Sequence, residues 1–431
     1  MSIILSRRTF AYAALGTAAL GLLTACGDSS GAADADGTTT IRFAWWGNTA
    51  RAEATQTVID KFEAANPTIK VKGEPSDFSG YFDKLATSVA AKDAPDLFTL
   101  GGAYPAEYAN RGALLDLSKA GDALDLSKMD ASALTNGQVG GVQYGVSTGA
   151  NALAMVINPA VFKAAGVALP DPATWTWEDF RNIAAEITTK SPAGTFGSAS
   201  VLTHDSLDAF ARQHGEELYT EDGKLGLTEK TVADYFAFSL SLSQKKASPS
   251  PSEMVEQASV SIEQSLMGTG KAGMMLTWSN SMRALNEAAG SDLQLFQLPG
   301  ETPTPGIWLQ SSQYFAISAQ SKKSEAAAKL ISFLVNDEEA AKILLTDRGV
   351  PSNSAIRAAI APELSPSGQS EVKYLDIVGE TKFAPTYIGP TGSTSVGEIT
   401  ARINTNVMFE KVSPAEGAKQ WMSESAAAIL S

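Results

Sequence analysis

Between Ile41 and Gly102 the chain changes period four times, and that alternation limits its fold more than any other feature. Ile41, Phe43 and Trp45 alternate with Arg42, Ala44 and Trp46, the spacing of a strand. Asn48 or Thr49 can cap a following helix, in which Val58, Ile59 and Phe62 recur at helical spacing until Asn66-Pro67 stops it. Ile69 to Lys72 returns to strand. A second helix carries Tyr81, Phe82, Leu85 and Val89, and "APDLFTLGG" at 94–102 is a short apolar strand ending in glycines. Strand, helix, strand, helix, strand favours a parallel sheet with helical crossovers, so an α/β fold is expected. In open sheets of this kind ligands sit outside the carboxyl ends of the strands. Trp46 to Asn48 and Leu100 to Tyr104 lie at two such ends.

The rest of the chain continues in the same manner. Leu153 to Ile157 is an apolar strand followed by a short helix and a Pro-rich turn. Thr176 and Asp179 form a capping-box pattern before another helix. A helical region is predicted over 228–245, and its "ASPSPSE" exit is expected to be a loop. "GKAGMML" at 270–276 is a short strand ending near Trp278. "SQYFAIS" is a strand before two helices, the first capped by Ser321 or Ser324. From about residue 366 the chain reads as helical around the Gly- and Thr-rich stretch "PTYIGPTGSTSVG".

The N-terminal stretch has another character. Arg7 and Arg8 precede an apolar run rich in Ala, Leu and Gly that ends at Cys26, the layout of an export signal. Leu23-Thr24-Ala25-Cys26 resembles the lipobox of bacterial lipoproteins, which implies a lipid on Cys26 and attachment to the outer face of the cell membrane. Cys26 is the single cysteine, so an intramolecular disulfide is excluded. Ser6-Arg7-Arg8-Thr9-Phe10 fits a twin-arginine signal or an ordinary basic region equally. Residues 27–39, "GDSSGAADADGTT", read as a flexible tether.

Without Arg7 and Arg8 the chain keeps 31 basic against 47 acidic side chains, a net charge of −16. That argues against nucleic acid and anionic lipid surfaces as partners. His204 and His214, ten residues apart and without an accompanying acidic set, do not form a metal site. "GTGKAG" lacks the spacing of a phosphate loop, and the serines have no placed histidine. No metal, cofactor or catalytic residue is expected.

Four blocks, "APDLFTL", "GANALAMVINPAVFKAAGV", "GKAGMMLTWSN" and "ISAQSKKSEAAAKLISFL" with "RGVPSNSAI", carry a resemblance. In this order and spacing they resemble the family 1 extracellular solute-binding proteins of ATP-driven importers, the sugar-binding group that includes maltose-binding protein. Ile157 departs from the family's pattern, which usually has tyrosine there. The resemblance implies a two-lobed periplasmic-binding-protein-like fold of type II, with discontinuous lobes, a hinge, and the ligand in the cleft between. It places lobe 1 at 40–148 plus 311–350 and lobe 2 at 149–310 plus 351–431. It implies a carbohydrate ligand, an oligosaccharide by the aromatic content, and membrane permease subunits of an ABC importer as partners. The protein is expected to act as a monomer and to perform no chemistry. A secreted glycoside hydrolase, or a binder of another solute such as a polyamine, are the alternatives.

Candidate ligand residues follow from position and chemistry together. Strand alternation assigns Trp45 to the core and turns Trp46 the other way, toward the cleft, with Asn48 as a polar companion. An indole can stack on the apolar C–H face of a sugar, whose hydroxyls need hydrogen-bonding groups. Trp278 and Trp308 are candidates of the same kind, whereas Trp175, Trp177 and Trp421 are assigned to packing. Asn151, one residue before the signature strand, matches a sugar-contacting position of maltose-binding protein that carries a carboxylate; an amide keeps the acceptor and adds a donor. Tyr104, Tyr387 and Asp77 complete the set.

Overall fold

The computed structural model describes residues 37–430 except 103, 201, 221, 303–304 and 381–388. The opening units form as their periodicity dictates. β1 (Thr39–Trp46), α1 (Thr49–Ala65), β2 (Ile69–Ser76), α2 (Phe78–Ala90), β3 (Leu97–Leu100) and α3 (Tyr104–Asn110) follow one another, and β1 pairs in parallel with both β2 and β3. Asn48 is the residue that caps α1, its Oδ1 accepting the Arg51 N–H at 2.9 Å. A small hairpin, β4 (Gln138–Val139) and β5 (Val142–Gln143), precedes β6 (Val146–Asn151). The chain then enters a second sheet through β7 (Leu153–Ile157), β8 (Phe196–Ser198), β9 (Ala272–Trp278) and β10 (Gln294–Phe296), and returns to the first through β11 (Gln310–Ile317).

The first sheet has the order β2-β1-β3-β11-β6 and the second β10-β7-β9-β8. Each is mixed: β11 runs antiparallel to β3 and β6, and β9 runs antiparallel to β7 but parallel to β8. Each sheet has its own core. Ile41, Phe43, Trp45, Val58, Phe62, Phe315 and Leu330 belong to the first, and Leu153, Phe162, Phe180, Phe236, Ile403 and Trp421 to the second. This is the two-lobed architecture of a type II periplasmic binding protein.

The first passage between lobes is the shortest possible. β6 ends at Asn151 and β7 begins at Leu153, so Ala152 alone joins the sheets. Ser279 holds it on both sides: its N–H donates to the Ala152 carbonyl, and its Oγ accepts the Ala152 N–H. A later segment comes back alongside, where Ala150 and Val350 exchange N–H···O bonds of 2.7 and 2.9 Å. Gly349 stands at φ +91°, and a Cβ there would lie 2.7 Å from the Ala150 carbonyl oxygen, so glycine is required twice over. Tyr374, from the second lobe, donates its hydroxyl to the Leu153 carbonyl at 2.7 Å.

Two local expectations need correction. The "ASPSPSE" exit does not stay a loop: Ser250 and Glu253 form a capping box that starts the helix Pro251–Gln257. Neither Ser321 nor Ser324 caps the helix Ser324–Asn336; Lys323 occupies the cap position, because Ser321 Oγ is bound to Asp96 while it accepts the Lys323 N–H.

The strand alternation also separates the paired tryptophans. Trp45 is 1% exposed beside Phe43, with ring centroids 4.8 Å apart, and Trp46 is 8% exposed on the opposite face. Trp45→Ala should lower the unfolding free energy by about 3–5 kcal/mol, and Trp46→Ala by a similar amount because its indole is nearly as buried. Denaturant unfolding of both variants checks this; a Trp46→Ala variant as stable as wild type would contradict the packing.

Candidate functional site

The expected ligand residues that are described fall into two groups. The first lies at the carboxyl ends of β1, β2 and β3. Trp46 is not bare there: Phe78, Tyr81 and Phe82 surround it with ring centroids 5.8, 5.2 and 5.4 Å away. Gly101, at the end of β3, lets the indole approach, since a Cβ there would be 3.3 Å from it. Tyr104 stacks on Phe82 at 3.8 Å and 7°. Trp46 thus supports an aromatic platform whose accessible parts are Phe78, Phe82 and Tyr104. Sequence reasoning missed Phe78, which is 62% exposed, the most exposed large hydrophobic residue described. Asp77, exposed at the start of α2, makes no side-chain capping bond.

The second group gathers at the passage between lobes. Asn151 pairs with Gln310 across β6 and β11, and Leu153 pairs with Trp278 across β7 and β9. The Asn151 side chain is buried; its Nδ2 donates to Asn280 Oδ1 at 3.2 Å, and its Oδ1 has no partner among the described residues. Trp278 is half-buried and meets Trp308 edge-on, centroids 6.1 Å apart at 79°. Trp308 donates its Nε1–H to Gln310 Oε1 at 3.2 Å, and its ring lies under the Arg212 guanidinium, 4.9 Å from the centroid. Arg212 is itself paired with buried Asp208 at 3.1 Å. Trp308 is therefore held from three sides, and Trp278 is the more accessible indole.

Side chains also bridge the lobes directly. Asn48 Nδ2 donates to Glu263 Oε1 at 2.8 Å. Elsewhere along the lips, Asn110 Nδ2 donates to Thr391 Oγ1 at 2.8 Å, and Thr394 Oγ1 to Glu107 Oε2 at 2.7 Å. Asn48 is thus a clasp residue as well as a cap. Nothing in the local sequence marks these partners, which lie 215 to 287 residues apart. Tyr387 and Cys26 lie outside the described residues.

A charged cluster underlies the hinge. Arg51 Nε binds Asp347 Oδ2 at 2.7 Å, and Arg283, from the second lobe, approaches Oδ1 at 3.9 Å. Glu371 is buried nearby, one of its carboxyl oxygens without a partner among the described residues, with the Thr346 and Ser279 hydroxyls close enough to draw its pKa down. Burial pushes its pKa up to about 8, and the Asp347 charge adds to that, against the pull of those hydroxyls and of Arg283.

The family description "Bacterial extracellular solute-binding protein" matches residues 46–341. The chain belongs to that family. Its members are binding proteins rather than enzymes. Among curated relatives, a lipoprotein from the oleD 5′ region of Streptomyces antibioticus is 25% identical over 77% of this chain and 74% of its own. The diacetylchitobiose binding protein DasA of Streptomyces coelicolor is 24% identical over 69% of each chain. Among solved structures, an ABC substrate-binding protein from Listeria monocytogenes in complex with cycloalternan superposes with a TM-score of 0.77, at 24% identity, over 90% of this chain and 98% of that one.

Glu371 gives a pH prediction with a definite sign. Its folded pKa, about 8, exceeds the ordinary 4.5, so between those values the folded chain holds a proton that the unfolded chain has lost. This group's contribution to stability is therefore greatest below pH 4.5 and falls as pH rises to about 8. Glu371→Gln should remove that loss. Thermal unfolding should show the variant gaining on wild type from pH 5 to pH 9; a gap that stays constant across the range would refute a neutral Glu371.

Proposed function

We propose that the protein is a lipid-anchored extracytoplasmic receptor that captures a carbohydrate, an oligosaccharide, and delivers it to an ABC-type permease. The observation that carries this reading is the corner at the interlobe passage. A partly open indole, Trp278, stands there against Trp308, beside the free acceptor of a buried amide, Asn151. An apolar surface next to a desolvated acceptor suits the two faces of a sugar ring: C–H groups stack, and a hydroxyl donates. The Phe78, Phe82 and Tyr104 platform on the facing lobe offers a second stacking surface, which favours a ligand longer than one ring.

The relatives support the same class. One is named for diacetylchitobiose, and one was solved with cycloalternan. A lobe division near the expected 40–148 plus 311–350 and 149–310 plus 351–431, with its first boundary moved to Ala152 where β6 gives way to β7, is part of this proposal, as are the contacts of Asp77 and Tyr387 with ligand. The lipobox-like Cys26 supports anchoring, and a lipoprotein among the relatives is in keeping with it. Several acyl chains contribute roughly 0.8 kcal/mol per buried methylene, enough to hold a soluble domain at a membrane face.

Calorimetry against gluco-, chito- and pectic oligosaccharides tests the ligand class. At least one series should bind, and Trp278→Ala should weaken that binding by about 2 kcal/mol or more, the scale of an interface hot spot. Asn151→Ala should cost about 1–3 kcal/mol through its lost hydrogen bond. Binding of a polyamine with no response to any saccharide would overturn the reading. For the anchor, Cys26→Ala should abolish fatty-acid labelling and release the protein from membranes. Equal labelling and retention would show that another residue carries the lipid.

A further inference from the structure

Arg348 is a buried cation without a carboxylate of its own. It stands between the helix Glu338–Leu344 and the Ala150–Val350 exchange, on the segment that returns toward the second lobe, and is 4% exposed. Nη1 donates to Gln313 Oε1 at 3.0 Å and Nη2 to Thr55 Oγ1 at 2.7 Å, both neutral acceptors. Nε has no partner among the described residues. The carboxylate whose field reaches it, Asp347, is already taken by Arg51 and approached by Arg283. Burial, then repulsion from Arg51, drives the Arg348 pKa down to about 9. With Glu371 neutral, Arg51 and Arg283 share Asp347, and the other acid near Arg283, Glu287 at 3.7 Å, is exposed, so none is left to Arg348. An uncompensated charge in such surroundings is costly unless a counter-charge joins it.

Space for one exists. A cavity of about 30 Å³ has mostly apolar walls, Leu334, Leu344 and Ile356 among them, with Arg348, Ser147 and Ser352 on its polar side. A site needs roughly 10–15 Å³ to hold one water-sized occupant, so the cavity has room for a monatomic ion. Ser352 Oγ lies 3.1 Å from Ser147 Oγ, which accepts from Ser311 and has one proton for either Ser352 or the Gly149 carbonyl; with Ser147 donating to Ser352, the Ser352 proton turns to an acceptor in the cavity. Asn353 cannot give its amide protons, which are committed to the Val335 carbonyl and Asn336 Oδ1.

We propose that this cavity binds one small monovalent anion, a halide, held by the Nε–H of Arg348 and the hydroxyl of Ser352. The site is separate from the ligand cleft and stands whatever the cleft binds. Its occupant neutralises the charge excess behind the hinge, so the anion stabilises the segment on which Val350 pairs with Ala150. A water molecule in the same place would accept the Nε–H but leave the charge, and the two occupants differ in their response to salt identity.

The test is thermal unfolding at fixed ionic strength while sodium gluconate is exchanged for sodium chloride. A ligand of the folded state raises Tm with the logarithm of its concentration above its Kd. Wild type should show that rise and Arg348→Met should not. A flat wild-type response, or equal slopes in both proteins, overturns the proposal. Should Arg348→Met fail to fold, crystals of wild type grown in sodium bromide decide the matter. An anomalous bromide peak in the cavity is expected; bromide found at exposed positions alone overturns it.

Discussion

Ala152 is the constraint on which the two-lobed arrangement depends. A single residue carries the chain from one sheet to the other, so the ends of β6 and β7 have no slack to separate. Ser279 removes most of the freedom that remains, by binding both backbone groups of that residue. Relative motion of the lobes must therefore be rotation about this point. The candidate ligand groups nearest to it, Asn151 on the first sheet and Trp278 on the second, flank the pivot and move least against each other, while the aromatic platform farther along the first lobe moves most. That arrangement suits the capture proposed above, in which the corner at the pivot would read the ligand first and the platform would complete the contact.

Much of this architecture was legible in the sequence. The alternation of period from Ile41 to Gly102 gave β1, β2 and β3 with their intervening helices, because each has one buried face and a recognisable stop. Trp45 and Trp46 were separated correctly by a period of two. Alternation says which face a side chain takes, however, and not what covers that face. A parallel strand is buried on both sides. Covering Trp46 with Phe78, Tyr81 and Phe82 depends on how α2 packs across the sheet, and no local pattern encodes that. The capping box at Ser250 was in plain view as Ser-Pro-Ser-Glu, but the prolines and serines read as loop. The lip bonds of Asn48, Glu107 and Asn110 depend on chain segments hundreds of residues away and could come only from the fold.

Charge is distributed in a similar two-tier manner. The chain is strongly acidic, yet behind the hinge Arg348 is buried on neutral acceptors and the acid Glu371 is neutralised by burial. Overall charge governs which macromolecules the surface repels. It does not govern the interior, where desolvation and a few neighbours set each group's state. The Arg51–Asp347 pair, 2.7 Å and mostly shielded, links α1 to the return segment and so ties the capped start of a helix to the hinge.

Asn48 carries two duties with one amide, and that has a consequence for control of the lobes. Its oxygen is committed to the Arg51 N–H, so only its nitrogen can face Glu263. Aspartate in its place would keep the cap and set one carboxylate against another across the lips. The aromatic surfaces and the Ala152 passage would be untouched. The balance between shut and parted forms could then be adjusted by a single atom exchange at the rim, with pH and ionic strength as its external dials.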